Sequence, residues 1–138
     1  MNTVLVVTAD DALRARLVRC LSNFSIFEAH GDKDALRTLR LVDIDVILRE
    51  SLGPAGALAT FAAAARDVAP GAILIAVGAS GEDETSAEFT VPDGFTPREL
   101  EAVLRHALDR QRLLRELAAS RTPVPKAAPA PPAPSAPS

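Results

Sequence analysis

Few side chains in this sequence combine the right type with a spacing that could support chemistry. The stretch "IDVILRESLGP" (44–54) runs as an apolar strand and then delivers Arg49 and Glu50 side by side, placing a carboxylate at a strand tip. Thr8, Ala9 and Asp10 follow another apolar run, "TVLVV" (3–7), and so stand at the carboxyl end of a second strand. His30 and His106 are far apart and have no Cys or carboxylate array at ligand spacing, so no metal site is expected from them. Cys20 is the only cysteine, which excludes an internal disulfide, and its place among Leu13, Leu17 and Leu21 marks a packed thiol. Gly78-Ala79-Ser80-Gly81 lacks the following Lys of a phosphate cradle, and Ser51 has no general base nearby in the sequence.

The elements that must position these residues alternate. Strands are expected at 3–7, 25–29, 43–48, 72–77 and 88–91, each a continuous apolar run rather than an in/out alternation. Helices are expected at about 11–22 behind Asp10 as N-cap, around Ala35, Leu36 and Leu39 after the turn Gly31-Asp32, over 55–68, and from Pro97 onward. Thr96-Pro97-Arg98-Glu99 supplies a cap, a first-turn proline and an acid at the third helical position. This alternation calls for a flavodoxin-like α/β/α sandwich with a five-stranded parallel sheet, whose ligands sit at the carboxyl ends of the strands. Between strands four and five, "GASGEDETSA" (78–87) is small, acidic and aperiodic, so the helix expected there is missing or much shortened.

Composition narrows the function classes. The formal charge of −3 provides no general attraction for nucleic acid or anionic membranes. No apolar run approaches a membrane span and Met1-Asn2-Thr3 lacks the charged start of a signal peptide, so a cytoplasmic location without membrane insertion is expected. Residues 1–118 are expected to form the domain, and 119–138, ending in "TPVPKAAPAPPAPSAPS", a Pro/Ala-rich extended linker or tail.

The motifs "VLVV", "DDALRARLVRCL", "FEAHGDKDAL", "DVILRESLGP" and "FTPRELEAVLRHAL" resemble the receiver domains of bacterial two-component response regulators over roughly residues 3–118. That resemblance implies an acidic pair for Mg²⁺ after the first strand, an aspartate nucleophile after the third, a Thr or Ser after the fourth and a Lys after the fifth. The corresponding positions here are Thr8 and Ala9, Glu50, Gly78, and Val91 or, with a different gap, Asp93. None retains the implied chemistry, and a two-residue slide that made Asp10 and Asp11 the acidic pair would displace "LVV" from the sheet. The resemblance therefore implies a degenerate pseudo-receiver with no catalytic residue, no cofactor and no metal. It would be a phosphorylation-independent interaction module. The alternative is a receiver still switched by metal or phosphodonor through Asp10 and Glu50.

Two readings of Glu50 stand side by side: a permanent carboxylate imitating the phosphorylated state, or a solvated strand-end acid paired with Arg49. The shortened fourth helix implies a bare apolar sheet face filled by a partner helix or a second copy of the chain, or else covered by the acidic loop. Phe89, Val91, Phe95, Leu104, Leu108, Leu114 and Leu117 are the expected partner surface, which could serve a homodimer. The last helix should run about 22 residues with its stripe broken at Gln111, too short for an autonomous coiled coil.

Overall fold

The computed structural model describes residues 2–51, 56–78 and 86–121, with the backbone alone at 120 and 121. Five strands form one parallel sheet: β1 (Thr3–Val7), β2 (Ser25–Ala29), β3 (Val46–Glu50), β4 (Ile73–Val77) and β5 (Phe89–Val91), in the order β2-β1-β3-β4-β5. This is the flavodoxin-like doubly wound order, with its switch in winding direction between β1 and β3. Four helices occupy the described residues: α1 (Asp11–Arg19), α2 (Asp32–Leu41), α3 (Ala57–Val68) and α4 (Pro97–Arg121).

The central strands β1, β3 and β4 present apolar residues to both sides because each side has its own core. Val4, Val6, Val46, Leu48, Ile73, Ile75 and Val91 pack against Leu13 and Leu17 of α1 and Leu100 and Leu104 of α4. Leu5, Ile47, Leu74 and Ala76 point the other way, against Ala35 and Leu39 of α2 and Leu58 and Phe61 of α3. Asp10 caps α1 through Oδ1, which accepts from the amides of Ala12 at 2.9 Å and Leu13 at 3.3 Å. Thr96 and Glu99 form the reciprocal capping box expected at the start of α4.

Several expectations change. β3 runs to Glu50, so both charges of "RE" belong to the strand, and α1 ends at Arg19, three residues early. The fifth strand keeps its place at the sheet edge, paired in parallel with β4 from Ile75↔Phe89 to Val77↔Val91. The bare apolar face expected beside it is not found on β4, whose five residues are all buried. Residues 79–85, where the shortened helix was expected, lie outside the described residues.

A further change concerns α4. It has 25 residues, about 37 Å of helix, and outlasts the expected boundary at 118. Gln111 does not break its packing stripe; it continues the buried line of Leu100, Leu104 and Ala107. Its Nε2 donates to the carbonyls of Asp45 at 2.9 Å and Gly71 at 2.8 Å, fastening the helix to the amino-terminal side of β3 and β4. Arg115 adds an ion pair to Asp45 at 3.3 Å, whose other carboxylate oxygen accepts from the amide of Thr3. Val91, Phe95 and Leu104, expected on a partner surface, belong to the core, and Phe89 and Leu108 pack partly buried against it. Of the residues expected there, Leu114 and Leu117 stand exposed, joined by Leu113.

Candidate functional site

The carboxyl ends of the strands bring the expected positions into one rim. Thr8 follows β1, Glu50 closes β3, Gly78 follows β4 and Val91 closes β5, in neighbouring strands of the sheet. A shallow depression of about 240 Å³ opens at the switch point, lined by Val7, Thr8, Ala9, His30, Gly31, Asp32, Arg49 and Glu50.

At its centre is a contact that residue type alone did not disclose. Thr8, only 3% exposed, donates its hydroxyl proton to Oε1 of the half-buried Glu50 at 2.6 Å. The same hydroxyl oxygen accepts the amide of Asp10 at 3.0 Å. A continuous relay thus runs from Glu50 through Thr8 to the start of α1, where the Asp10 carboxylate is engaged in capping. Arg14 of α1 braces the turn from behind: Nη2 donates to the carbonyl of Thr8 at 2.7 Å and lies 3.0 Å from Nδ1 of His30.

Arg49 does not pair with the Glu50 carboxylate. It is buried, and its Nε and Nη2 form a two-pronged bridge to Asp32 at 2.8 and 2.9 Å, while its guanidinium lies 5.1 Å from the centre of the Phe61 ring. Only its Nη1 reaches Glu50, at the backbone carbonyl. The sequence marks Asp32 as a helix-start acid; its role as the partner of a charge buried seventeen positions later is a tertiary fact.

On the far side of the rim, Gly78 has φ +78°, the left-handed region, and an added Cβ would lie 2.6 Å from Oδ1 of Asp93. A hydroxyl-bearing residue has no room there without displacing that carboxylate. Val91 is buried, and the segment after it is held to α1 by Arg16, which donates to the carbonyl of Asp93 at 3.0 Å and stacks over Phe95. The rim at β5 therefore carries a carboxylate where the receiver resemblance implies an ammonium.

The donor set does not fit the Mg²⁺ that a receiver fold implies. Thr8 stands where the resemblance implies an acid, Asp10 spends an oxygen on two helix amides, and Glu50 is bound to a hydroxyl. Among the described residues no group of three or more His, Cys, Asp or Glu side chains is placed to hold a metal.

No family model matches the chain, and no curated protein matches it. Solved structures do. The signal receiver domain of an HD domain-containing protein from Pseudomonas fluorescens Pf-5 superposes with a TM-score of 0.75 at 21% identity, over 83% of this chain and 92% of that one. A CheY-like response regulator receiver domain protein from Methanospirillum hungatei JF-1 gives 0.73 at 21%, over 81% and 97%. The response regulator TrrA of Thermotoga maritima, solved in complex with Mg(2+)-BeF, gives 0.68 at 21%, over 78% and 100%. The chain has the fold of response regulator receiver domains.

Proposed function

We propose that this chain is a pseudo-receiver, a phosphorylation-independent protein-interaction module of bacterial signalling or spatial organisation. The observation that carries the proposal is the closed relay Glu50–Thr8–Asp10. Phosphoryl transfer to a carboxylate needs a cation to bridge converging negative charges and an ammonium to neutralise the product. Here the carboxylate at the nucleophile position is already satisfied by a hydroxyl, and Asp93 adds negative charge on the side where the ammonium would stand. The rim is a structural joint, and specificity is left to the surfaces.

The same contact bears on the reading of Glu50 as a phosphoryl mimic. Glu50 does meet a hydroxyl, but one from β1 rather than from β4, and that hydroxyl ties the carboxylate to α1. We therefore read Glu50 as a clasp between β3 and α1.

Incubation of the full chain with acetyl phosphate and Mg²⁺, followed by intact-mass measurement, tests the proposal. No gain of a phosphoryl group is expected. A gain that Glu50→Gln abolishes would overturn it in favour of a receiver still switched at this rim.

A further inference from the structure

The described core of α4 ends at Gln111; beyond it every residue whose side chain is described is exposed, and among them stand three large apolar side chains. Leu113 is 58% exposed, Leu114 49% and Leu117 55%. At 100° per residue these three, with Arg110, fall on one flank of the helix, roughly a quarter-turn from the buried line Leu100, Leu104, Ala107 and Gln111. A helical end without packing gains little from propensity alone, so a protruding leucine flank is best stabilised by something that covers it.

Residues 122–138, which follow the helix, are poorly suited to do so. Residues 122–138 are Pro, Ala and Ser around a single Lys, with Val124 as their only large apolar side chain besides the prolines. A second copy of the chain is suited, in one orientation. If two α4 helices cross antiparallel about a two-fold axis beside Leu113 and Leu114, each Leu113 meets the other copy's Leu114, and each Leu117 meets the stem of Arg110. That register also sets Arg110 of one copy within a turn of Glu116 of the other, a complementary pair in both directions. A parallel arrangement would instead oppose Arg110 to Arg110 and Glu116 to Glu116.

We propose that the last three turns of α4 form a self-complementary antiparallel helix pair that joins two copies of this chain. The inference rests on the reading of the chain as an interaction module and names its partner as itself. The leucine flank is smaller than the ~800 Å² per partner of a lasting interface, so the pairing is a weak, concentration-dependent one.

Sedimentation equilibrium of the full chain from micromolar to millimolar concentration tests it, and the expected result is a reversible monomer–dimer equilibrium. Leu113→Glu with Leu117→Glu should weaken it at least ~10-fold, with the thermal midpoint of the dilute protein unchanged because both positions are exposed. As a control that does not depend on the leucines, Arg110→Glu and Glu116→Arg should each weaken the dimer and together restore it. For orientation, in a Cys20→Ser background, Leu117→Cys alone should give no disulfide-linked dimer, whereas a mixture with Arg110→Cys should give the mixed one. A strict monomer through millimolar concentration, a dimer indifferent to the paired glutamates, or Leu117→Cys self-crosslinking would overturn the proposal. None of these outcomes touches the phosphodonor result, so the two readings fail separately.

Discussion

At the scale of single residues, the Thr8 hydroxyl, the Asp10 Oδ1 and the Arg49 guanidinium at the carboxyl-end rim each have an internal use. The hydroxyl of Thr8 serves two elements at once, giving a proton to Glu50 and taking one from the amide of Asp10. A hydrogen bond to a charged group contributes about 1.5–3 kcal/mol, reduced here because Glu50 is half-exposed. Thr8→Val should therefore lower unfolding free energy by about 1–2 kcal/mol, measured by urea titration, and Glu50→Gln by less, since an amide oxygen still accepts the proton. If Thr8→Val were neutral, the clasp would contribute nothing to holding β3 and α1 together. Part of this was legible: "DVILRESLGP" places Glu50 at the strand tip and "TVLVVTAD" places Thr8 at the end of β1. Their mutual contact was not, because a hydroxyl and a carboxylate forty-two positions apart meet only through strand register.

At the scale of elements, α4 shows how one polar residue can be misjudged from periodicity. In the sequence Gln111 looks like a defect in a leucine stripe. In the fold it occupies the core line and donates to two carbonyls at the amino-terminal side of the sheet. Asp45 keeps the amide of Ile73 when Gln111 is removed, so the principal loss falls on the carbonyl of Gly71. Gln111→Leu should accordingly destabilise by about 1–2 kcal/mol in a thermal or urea melt, despite adding apolar surface to the core. Leu104 and Leu114 illustrate the converse. They lie about 80° apart around the helix, and the first is buried while the second, beyond the end of the core at Gln111, is exposed.

At the scale of the whole molecule, two apolar cores are separated by a single sheet whose strands contribute to both. Val4 and Val6 face one core while Leu5 and Val7 face the other, and Ile47 alternates with Val46 and Leu48 in the same way. Neither core can be lost without removing a wall of its neighbour. Phe61→Ala in one core and Leu100→Ala in the other should each cost about 3–5 kcal/mol, and each variant should still melt in one transition. The absence of Trp and Tyr directs the measurement to far-UV circular dichroism and amide NMR signals. Two separable transitions in either variant would show that the cores fold independently.

The sequence by itself determined the order of elements, the parallel sheet, the caps of α1 and α4 and which residue types stand at the strand ends. Those follow from local causes: strand-length apolar runs, helical spacing, cap chemistry and the identity of the residue at each strand end. Only the tertiary structure decided who meets whom. It gave Arg49 to Asp32 and Glu50 to Thr8, set Asp93 against Gly78, and turned Val91, Phe95 and Leu104 inward while leaving Leu113, Leu114 and Leu117 outside. Such partnerships depend on the register between strands distant in sequence and on the angle at which a helix lies across them, and neither is written in any one stretch of the chain.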